Sequence, residues 1–167
     1  MLPYIITYIF LVLLAIFERK NLVTYFFYML IIVYLVLFNG LRYQVGGDWF
    51  NYSGYFDNFL PYMSLKDVIF HDDPGYWLLA YFMYKLDLNM IGVDFIVAII
   101  FFVGLYRLLK YQPFPVLGLA VAFPYLIVVV SMGYVRQAAA IGLIMLGISY
   151  LEKRKFVEDF LKSCKGL

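Results

Sequence analysis

Residues 22–52 read LVTYFFYMLIIVYLVLFNGLRYQVGGDWFNY. This stretch begins as an apolar run and continues into a polar turn that contains Arg42, the pair Gly46-Gly47 and Asp48. The run at 22–38 contains no charged residue. A helix needs about 20 residues, and at least about 17, to cross the roughly 30 Å hydrocarbon core of a bilayer. The stretch therefore predicts a membrane-spanning helix that leads into a polar segment at the membrane surface.

The composition of the whole chain is typical of a membrane protein. Of its 167 residues, 65% are apolar and 14% are charged, and the mean hydropathy is +0.86. In soluble domains about half of the residues are apolar and about a quarter are charged. The net charge of +2 does not indicate nucleic-acid binding. One cysteine, Cys164, excludes an internal disulfide, and one histidine, His71, leaves no histidine-rich metal site, so we predict no metal and no cofactor.

Further apolar runs extend this interpretation to an all-α, polytopic membrane protein with one membrane domain. The first run ends in Glu18-Arg19-Lys20 rather than in a small-residue cleavage site, so we predict a retained span and no signal peptide. Pro124 is expected to kink the fourth span. About five transmembrane helices are predicted, at 1–17, 22–38, 90–106, 114–130 and 134–151, with an external loop at 39–89 and a cytoplasmic tail at 152–167.

The apolar run at 76–86 could be a sixth span or a surface helix. Nine of the 13 Lys and Arg residues fall on one side of the membrane with five spans, and nine also do so with six spans. The distribution of positive charge therefore does not distinguish the two topologies. At about 1.5 Å per residue the run reaches only about 16 Å. We therefore predict a short external interfacial helix, with Trp77 as one of its anchors. With five spans, Arg42 and Arg136 share the external face.

The two external arginines are candidate anion-binding residues. Arg136 stands at the start of a predicted helix, where the helix dipole disfavours a cation by about 0.3–1 kcal/mol, so a carboxylate or an anionic ligand is expected beside it. Ala138 and Gly142 behind it form a small-residue face that lets helices approach closely. Arg42 follows a helix end, which suits a cation, and either arginine could simply extend to the membrane surface.

Other polar residues near these arginines have weaker signals. Gly46 and Gly47 permit a tight turn with exposed amides, and Asp48 follows them as a candidate general base. The sequence His71-Asp72-Asp73 is more typical of a solvated loop than of a base cluster or metal site, and Asp94 suits its place near a helix start. Arginines, amides and a carboxylate on one membrane face suggest a receptor for a phosphate-bearing, lipid-linked sugar.

Three motifs in order resemble the EpsG family, which is related to the Wzy-type polymerases of bacterial capsule, exopolysaccharide and O-antigen synthesis. They are GLRYQVGGDWFNY at 40–52, DPGYWLLAYFMYKL at 73–86 and MGYVRQAAAIGL at 132–143, followed by YLEKRKF at 150–156. The resemblance implies a multi-pass enzyme of the bacterial cytoplasmic membrane that joins undecaprenyl diphosphate-linked repeat units at the external face.

The resemblance also implies candidate site residues and partners. Arg42, Asp48, Arg136 and Gln137 match prominent polar positions of the family. We predict Asp48 as the catalytic residue, and a diphosphate-binding site formed by Arg42, Gly46, Gly47, Arg136 and Gln137. The expected partners are the undecaprenyl diphosphate-linked oligosaccharide, the lipid bilayer, a flippase and a chain-length regulator. Family members are about twice this length, so the chain is expected to be an N-terminal fragment whose own activity is open.

Two other functions compete with a polymerase. A polytopic glycosyltransferase that uses polyprenyl-phosphate sugars would employ acidic residues of an external loop, such as Asp48, Asp72 and Asp73. A non-enzymatic flippase or transporter subunit of polysaccharide export would have broken helices and charges near the midplane, whereas the charges here lie mainly at span ends. The paired external arginines favour a diphosphate ligand and hence the polymerase.

Overall fold

The computed structural model describes the backbone of residues 2–19, 22–47 and 49–165, and the side chains of 2–19, 24–47 and 49–152. Every regular element in these ranges is a helix, which confirms the all-α prediction. The helices are α1 (Leu2–Ile16), α2 (Leu22–Gly40), α3 (Trp49–Asn58), a 3₁₀ turn (Leu60–Tyr62), α4 (Leu65–Ile69), α5 (Pro74–Lys85), α6 (Met90–Lys110), α7 (Pro115–Ala122), a π-helix (Phe123–Ser131) and α8 (Val135–Lys165).

A helix occupies each of the five predicted spans, but the helices differ in length and apolarity. Within the described residues, Met90–Lys110 and Val135–Glu152 are long and apolar enough to cross a membrane. Leu2–Ile16, Thr24–Gly40 and Pro115–Ser131 are shorter apolar helices. A membrane protein is thus supported, whereas the number of spans stays a prediction. Helix α8 continues through the predicted tail at 152–167 as far as Lys165, and the cytoplasmic location of that tail stays a prediction.

The long helices run alternately between two ends of a bundle. Tyr4 in α1 borders one cavity with Gly46 and Met132, so α1 starts beside the ends of α2 and of the π-helix. We call this the loop end. At the opposite end, Glu18 accepts hydrogen bonds from the backbone amides of Val116 and Leu117, at 2.9 and 3.0 Å. These are N-terminal amides of α7 that have no acceptor within the helix, so Glu18 ties α1 to α7.

Helix α6 forms the centre of the bundle, packing against both α2 and α8. A Cβ atom on Gly104 would overlap the carbonyl oxygen of Gly142, and one on Gly142 would lie 2.7 Å from the Cα atom of Phe101. Ala138, one turn before Gly142, is fully buried. The predicted small-residue face of α8 therefore meets α6 at backbone distance, as van der Waals packing in lipid requires.

The fourth apolar segment changes its helix type at Phe123, next to Pro124. It continues from α7 as a π-helix through Ser131, and the kink expected at Pro124 stays a prediction. Proline has no N–H to donate to the helix ladder, so it disturbs the α-helical hydrogen bonds. π-Helices are rare and frequently lie at functional sites. The consequence here is local: the π-helix delivers Ser131 to the loop end.

The segment predicted as an external loop, 39–89, is largely helical. Ser64 caps α4 in a capping box with Asp67, and Asn89 caps α6 through the amide of Ile91 at 3.0 Å. The predicted short helix at 76–86 is α5. It packs against α4 and α6 at the loop end, and Trp77 is only 8% exposed. Trp77 is therefore part of the core rather than an anchor extending from the surface.

Candidate functional site

Arg42 lies in a buried polar cluster at the loop end. Its Nη2 donates to Asp94 Oδ1 at 2.8 Å, and its Nη1 donates to Asn39 Oδ1 at 2.8 Å and to the Ser131 carbonyl at 3.0 Å. Asn39 Nδ2 in turn donates to Ser131 Oγ at 2.8 Å. We call Asn39, Arg42, Asp94 and Ser131 the buried polar cluster. It joins the ends of α2 and of the π-helix to the start of α6.

The cluster compensates a charge that would otherwise be isolated among apolar side chains. Arg42 is 6% exposed and Asp94 is 1% exposed. Burial lowers the pKa of Arg42, and the Asp94 carboxylate acts in the opposite direction. Two atoms of the pair, Arg42 Nε and Asp94 Oδ2, have no hydrogen-bond partner among the described residues. A buried pair of this kind is strongly destabilised when one partner is removed.

Arg136 has a different environment, at the protein surface. Its Nε donates to the Tyr52 hydroxyl at 2.7 Å, and its guanidinium carbon lies 5.4 Å from the centre of the Tyr52 ring. Its Nη1 forms an ion pair with Asp73 Oδ2, and the two side chains are 49% and 51% exposed. The anion expected beside this helix start is therefore Asp73 in the structure. Asp73 is an exposed loop residue, as the sequence suggested, and it has an ion-pair partner in addition.

Arg136 borders a cavity of about 350 Å³ that we call the aromatic pocket. The His71 ring lies 4.6 Å from the Trp77 ring, and His71 Nδ1 is buried without a partner among the described residues. Such a pocket, mainly aromatic with a few polar groups, is typical of small-molecule sites. Its lining consists of Tyr52, Tyr55, Phe59, Met63, His71, Tyr76, Trp77 and Arg136.

Tyr76 lies in the aromatic pocket and is also influenced by the buried polar cluster. Burial raises the pKa of the Tyr76 phenol; Tyr52 and Asp94 raise it further, and Arg136 opposes them. The phenol therefore stays protonated at neutral pH. Its oxygen lies 3.8 Å from Met90 Sδ, a weak acceptor. Tyr76 therefore lines the aromatic pocket while its hydroxyl contacts Met90 of α6.

The glycines at 46 and 47 line a second cavity, of about 280 Å³, together with Tyr4, Met132 and Gly133. Gly46 has φ +115°, and a Cβ atom there would overlap the Met132 carbonyl oxygen. Gly47 has open space around it. The turn is thus fixed against the segment that connects the π-helix to α8.

The structure places the described members of the predicted site at one end of the bundle without joining them into one site. Arg42, Gly46, Gly47 and Arg136 share the loop end but have three separate environments, and Gln137 is exposed beside Arg136. Asp48 lies outside the described residues. In the part of the chain that the structure describes, no group of three or more acidic, histidine or cysteine side chains could hold a metal. The roles assigned to these residues therefore stay predictions.

Several residues of the site were not predicted from the sequence. Tyr52 and Asp73 hold Arg136, Tyr76 and Trp77 form the pocket, and Asp94 pairs with Arg42. Tyr52, Asp73, Tyr76 and Trp77 lie inside the motifs at 40–52 and 73–86, which could have pointed to them. Asp94 lies outside all the motifs and had only its position near a helix start as a signal.

Comparison with known proteins gives one match. The family model described as the EpsG family matches residues 25–162, a range that includes both arginines and the whole aromatic pocket. No curated protein and no solved structure matches the chain.

Proposed function

The chain belongs to the EpsG family, and we propose that it acts as a membrane polymerase of a bacterial capsular polysaccharide, exopolysaccharide or O-antigen. The substrate is a repeat unit linked to undecaprenyl diphosphate, in the manner of Wzy-type enzymes. An acceptor hydroxyl attacks the anomeric carbon of the donor and forms the new glycosidic bond. The bond from that carbon to the diphosphate breaks, and the diphosphate leaves with the electron pair. Asp48 is the proposed base for the hydroxyl proton.

The observation that carries this proposal is the position of Arg136 at the rim of the aromatic pocket. The guanidinium can stabilise the charge that develops on a leaving diphosphate, because its planar fork binds phosphate oxygens in pairs. Flat aromatic rings beside it, with His71 as a polar group, suit a sugar attached to that phosphate. The volume of about 350 Å³ is within the range of small-molecule pockets, and is open enough for a larger glycan to extend outward.

Gln137 and the Gly46 and Gly47 amides are proposed as further donors to the diphosphate. For Arg42 the same role requires a phosphate oxygen to reach Nε or the second N–H of Nη2, since Nη1 donates to Asn39 and Ser131 and Nη2 donates once, to Asp94. The buried position of Arg42 supports a contribution through the shape of the site, with Arg136 as the residue that meets the ligand.

The distribution of positive charge supports an external location of the pocket. Arg107 and Lys110 end α6 at the end of the bundle opposite to the pocket, where Glu18 binds α7. Cytoplasmic segments of bacterial membrane proteins carry an excess of Lys and Arg. We therefore propose that the loop end faces outward from the bacterial cytoplasmic membrane, where a flippase would deliver the lipid-linked substrate and a chain-length regulator would act on the product.

The test is Arg136→Lys in the natural protein, expressed in its host after deletion of the gene. Lysine keeps the charge but loses the fork, so polymer formation should fall by about ten- to a hundredfold and single repeat units should accumulate on the carrier. Arg107→Lys is the matched control, because Arg107 also lies over a ring, that of Tyr150 at 5.8 Å, but at the opposite end. Normal polymer from Arg136→Lys would reject the proposal, and transfer of single sugars would favour the glycosyltransferase alternative.

A further inference from the structure

We propose that Asp73 competes with the ligand for Arg136: a phosphate oxygen takes the position of the Asp73 carboxylate, and Asp73 then turns to cap its own helix, α5. This inference rests on the proposed function, since the competing ligand is the diphosphate of the lipid-linked donor. It adds a regulating contact to that site. The ligand group is defined by chemistry: an oxyanion that fits a guanidinium fork.

The first observation is the position of the Asp73 carboxylate. It accepts a hydrogen bond from Nη1 of Arg136, while the Tyr52 hydroxyl accepts one from Nε. The carboxylate therefore occupies one of the nitrogen donors that a phosphate would use. The side chains of the pair are 49% and 51% exposed, so a ligand can reach the contact from solvent. A carboxylate and a phosphate present similar oxygen pairs to arginine, and both cannot occupy the same position.

The second observation is the missing cap of α5. Asp73 is the N-cap residue of this helix, and aspartate is among the preferred residues there because its oxygen accepts from the second or third amide of the helix. Asp73 makes no such hydrogen bond. In the same region Ser64 and Asn89 do cap α4 and α6. At Asp73 the carboxylate binds Arg136 instead, and the backbone has ψ 69° rather than the extended values of Ser64 and Asn89.

The missing cap gives Asp73 a second position to occupy. Pro74 is the first residue of α5 and has no N–H, so the amides of Gly75 and Tyr76 are the ones that an N-cap carboxylate would meet. When phosphate displaces Asp73 from Arg136, these amides offer it a replacement hydrogen bond. Exchange therefore leaves no carboxylate without a partner. It needs a side-chain rotation and a shift of the Asp73 ψ angle from 69° toward the extended values of Ser64 and Asn89.

The competition should be modest in size, since half-exposed ion pairs contribute little. Removing the Asp73 charge should tighten anion binding by about two- to fivefold. A diphosphate has more negative charge than a carboxylate and can bind the fork with two oxygens, so it wins the exchange at adequate concentration. The contact thus lowers the affinity of every anion that needs the Asp73 position by the same factor, and a diphosphate binds once its concentration exceeds the raised dissociation constant.

The experiment measures inorganic pyrophosphate binding to the full chain in detergent by isothermal titration calorimetry. Asp73→Asn should bind two- to fivefold more tightly than the native protein. Asp72→Asn is the matched control, because it removes the same charge one residue away, and Asp72 has no ion pair in the described part of the chain. Arg136→Gln should lose binding, and Asp73→Asn should have no effect in that background, as a double-mutant cycle requires.

The cap exchange has a separate measurement, hydrogen exchange of the Gly75 and Tyr76 amides. Both should become more protected on pyrophosphate addition in the native protein, and the gain should vanish in Asp73→Ala. If Asp73→Asn binds no more tightly than Asp72→Asn, or if the two amides gain no protection, the exchange is overturned while Arg136 can still be the binding residue. If Arg136→Gln binds pyrophosphate as the native protein does, the proposed function fails as well.

Discussion

Arg42 Nη2 lies 2.8 Å from Asp94 Oδ1, and the two side chains are 4% and 0% exposed. Asp94→Ala should lower the free energy of unfolding in detergent by about 3–5 kcal/mol, because it leaves the Arg42 charge buried without its partner. The double change Arg42→Met with Asp94→Leu should be closer to the native protein, since apolar residues of similar volume can replace a buried pair. Asp72→Ala, at an exposed position, is the control. A native-like Asp94→Ala would contradict a role in stability.

The contact between α6 and α8 gives a second prediction. Gly104→Ala should lower the unfolding midpoint by an amount equivalent to about 1–3 kcal/mol, because the new methyl group overlaps the Gly142 backbone. Gly147→Ala in α8 should be neutral or stabilising, since nothing lies within 4 Å of its added Cβ atom and alanine favours helix. Thermal unfolding of purified protein compares the two. Equal midpoints would mean that the helices are not in backbone contact at Gly104.

The turn at Gly46 gives a third prediction. Gly46→Ala should reduce both the amount of folded protein and the amount of polymer, because φ +115° strains an L-residue and the methyl group overlaps the Met132 carbonyl. Gly47→Ala should be tolerated, since its Cβ atom meets nothing within 4 Å. Expression level and polymer length in the same cells provide the comparison. A tolerated Gly46→Ala would show that the turn is not fixed against Met132.

Membrane sidedness gives a fourth prediction. In a Cys164→Ser background, a cysteine replacing exposed Lys66 at the loop end should react with a membrane-impermeant thiol reagent in intact cells. A cysteine replacing exposed Lys110, at the end of α6, should react only after the cells are opened. The excess of Lys and Arg at that end is the physical reason. The reverse labelling pattern would place the aromatic pocket in the cytoplasm and exclude an external polymerase site.

The helices could be predicted from the sequence because their signal is local. Apolar runs of sufficient length predicted where α1, α2, α6 and α8 lie, since hydrophobicity and rise per residue depend on neighbouring residues alone. The helices α3 and α4 within 39–89 were missed because they are short and contain polar and aromatic residues in no clear period. The π-helix was missed because no composition rule separates it from an α-helix beside Pro124.

Sequence reasoning predicted a contact of the site only where a charged residue stood in an unfavourable electrostatic position, as Arg136 does. The dipole argument predicted that Arg136 needs an anion, and Asp73 fulfils that need from 63 residues away. It did not predict which carboxylate, because several acids lie between 39 and 89. Arg42 follows a helix C-terminus, where the helix dipole favours a cation, so the same argument did not predict a partner anion. Its pairing with Asp94 depends on the packing of α2 against α6. Partners distant in the chain follow from tertiary packing, which one sequence does not show.

The buried polar cluster also constrains the order in which the chain is assembled. Arg42 precedes Asp94 by 52 residues and Ser131 by 89 residues. At about 5–20 residues per second, the ribosome needs roughly 3–10 s after Arg42 to complete Asp94. During this interval the guanidinium has no carboxylate partner from α6. Water must hydrate it, or lipid headgroup phosphates must pair with it. In the proposed membrane topology, the second helix therefore keeps its arginine at the aqueous boundary until α6 is inserted, and insertion of α6 allows the charge to be enclosed.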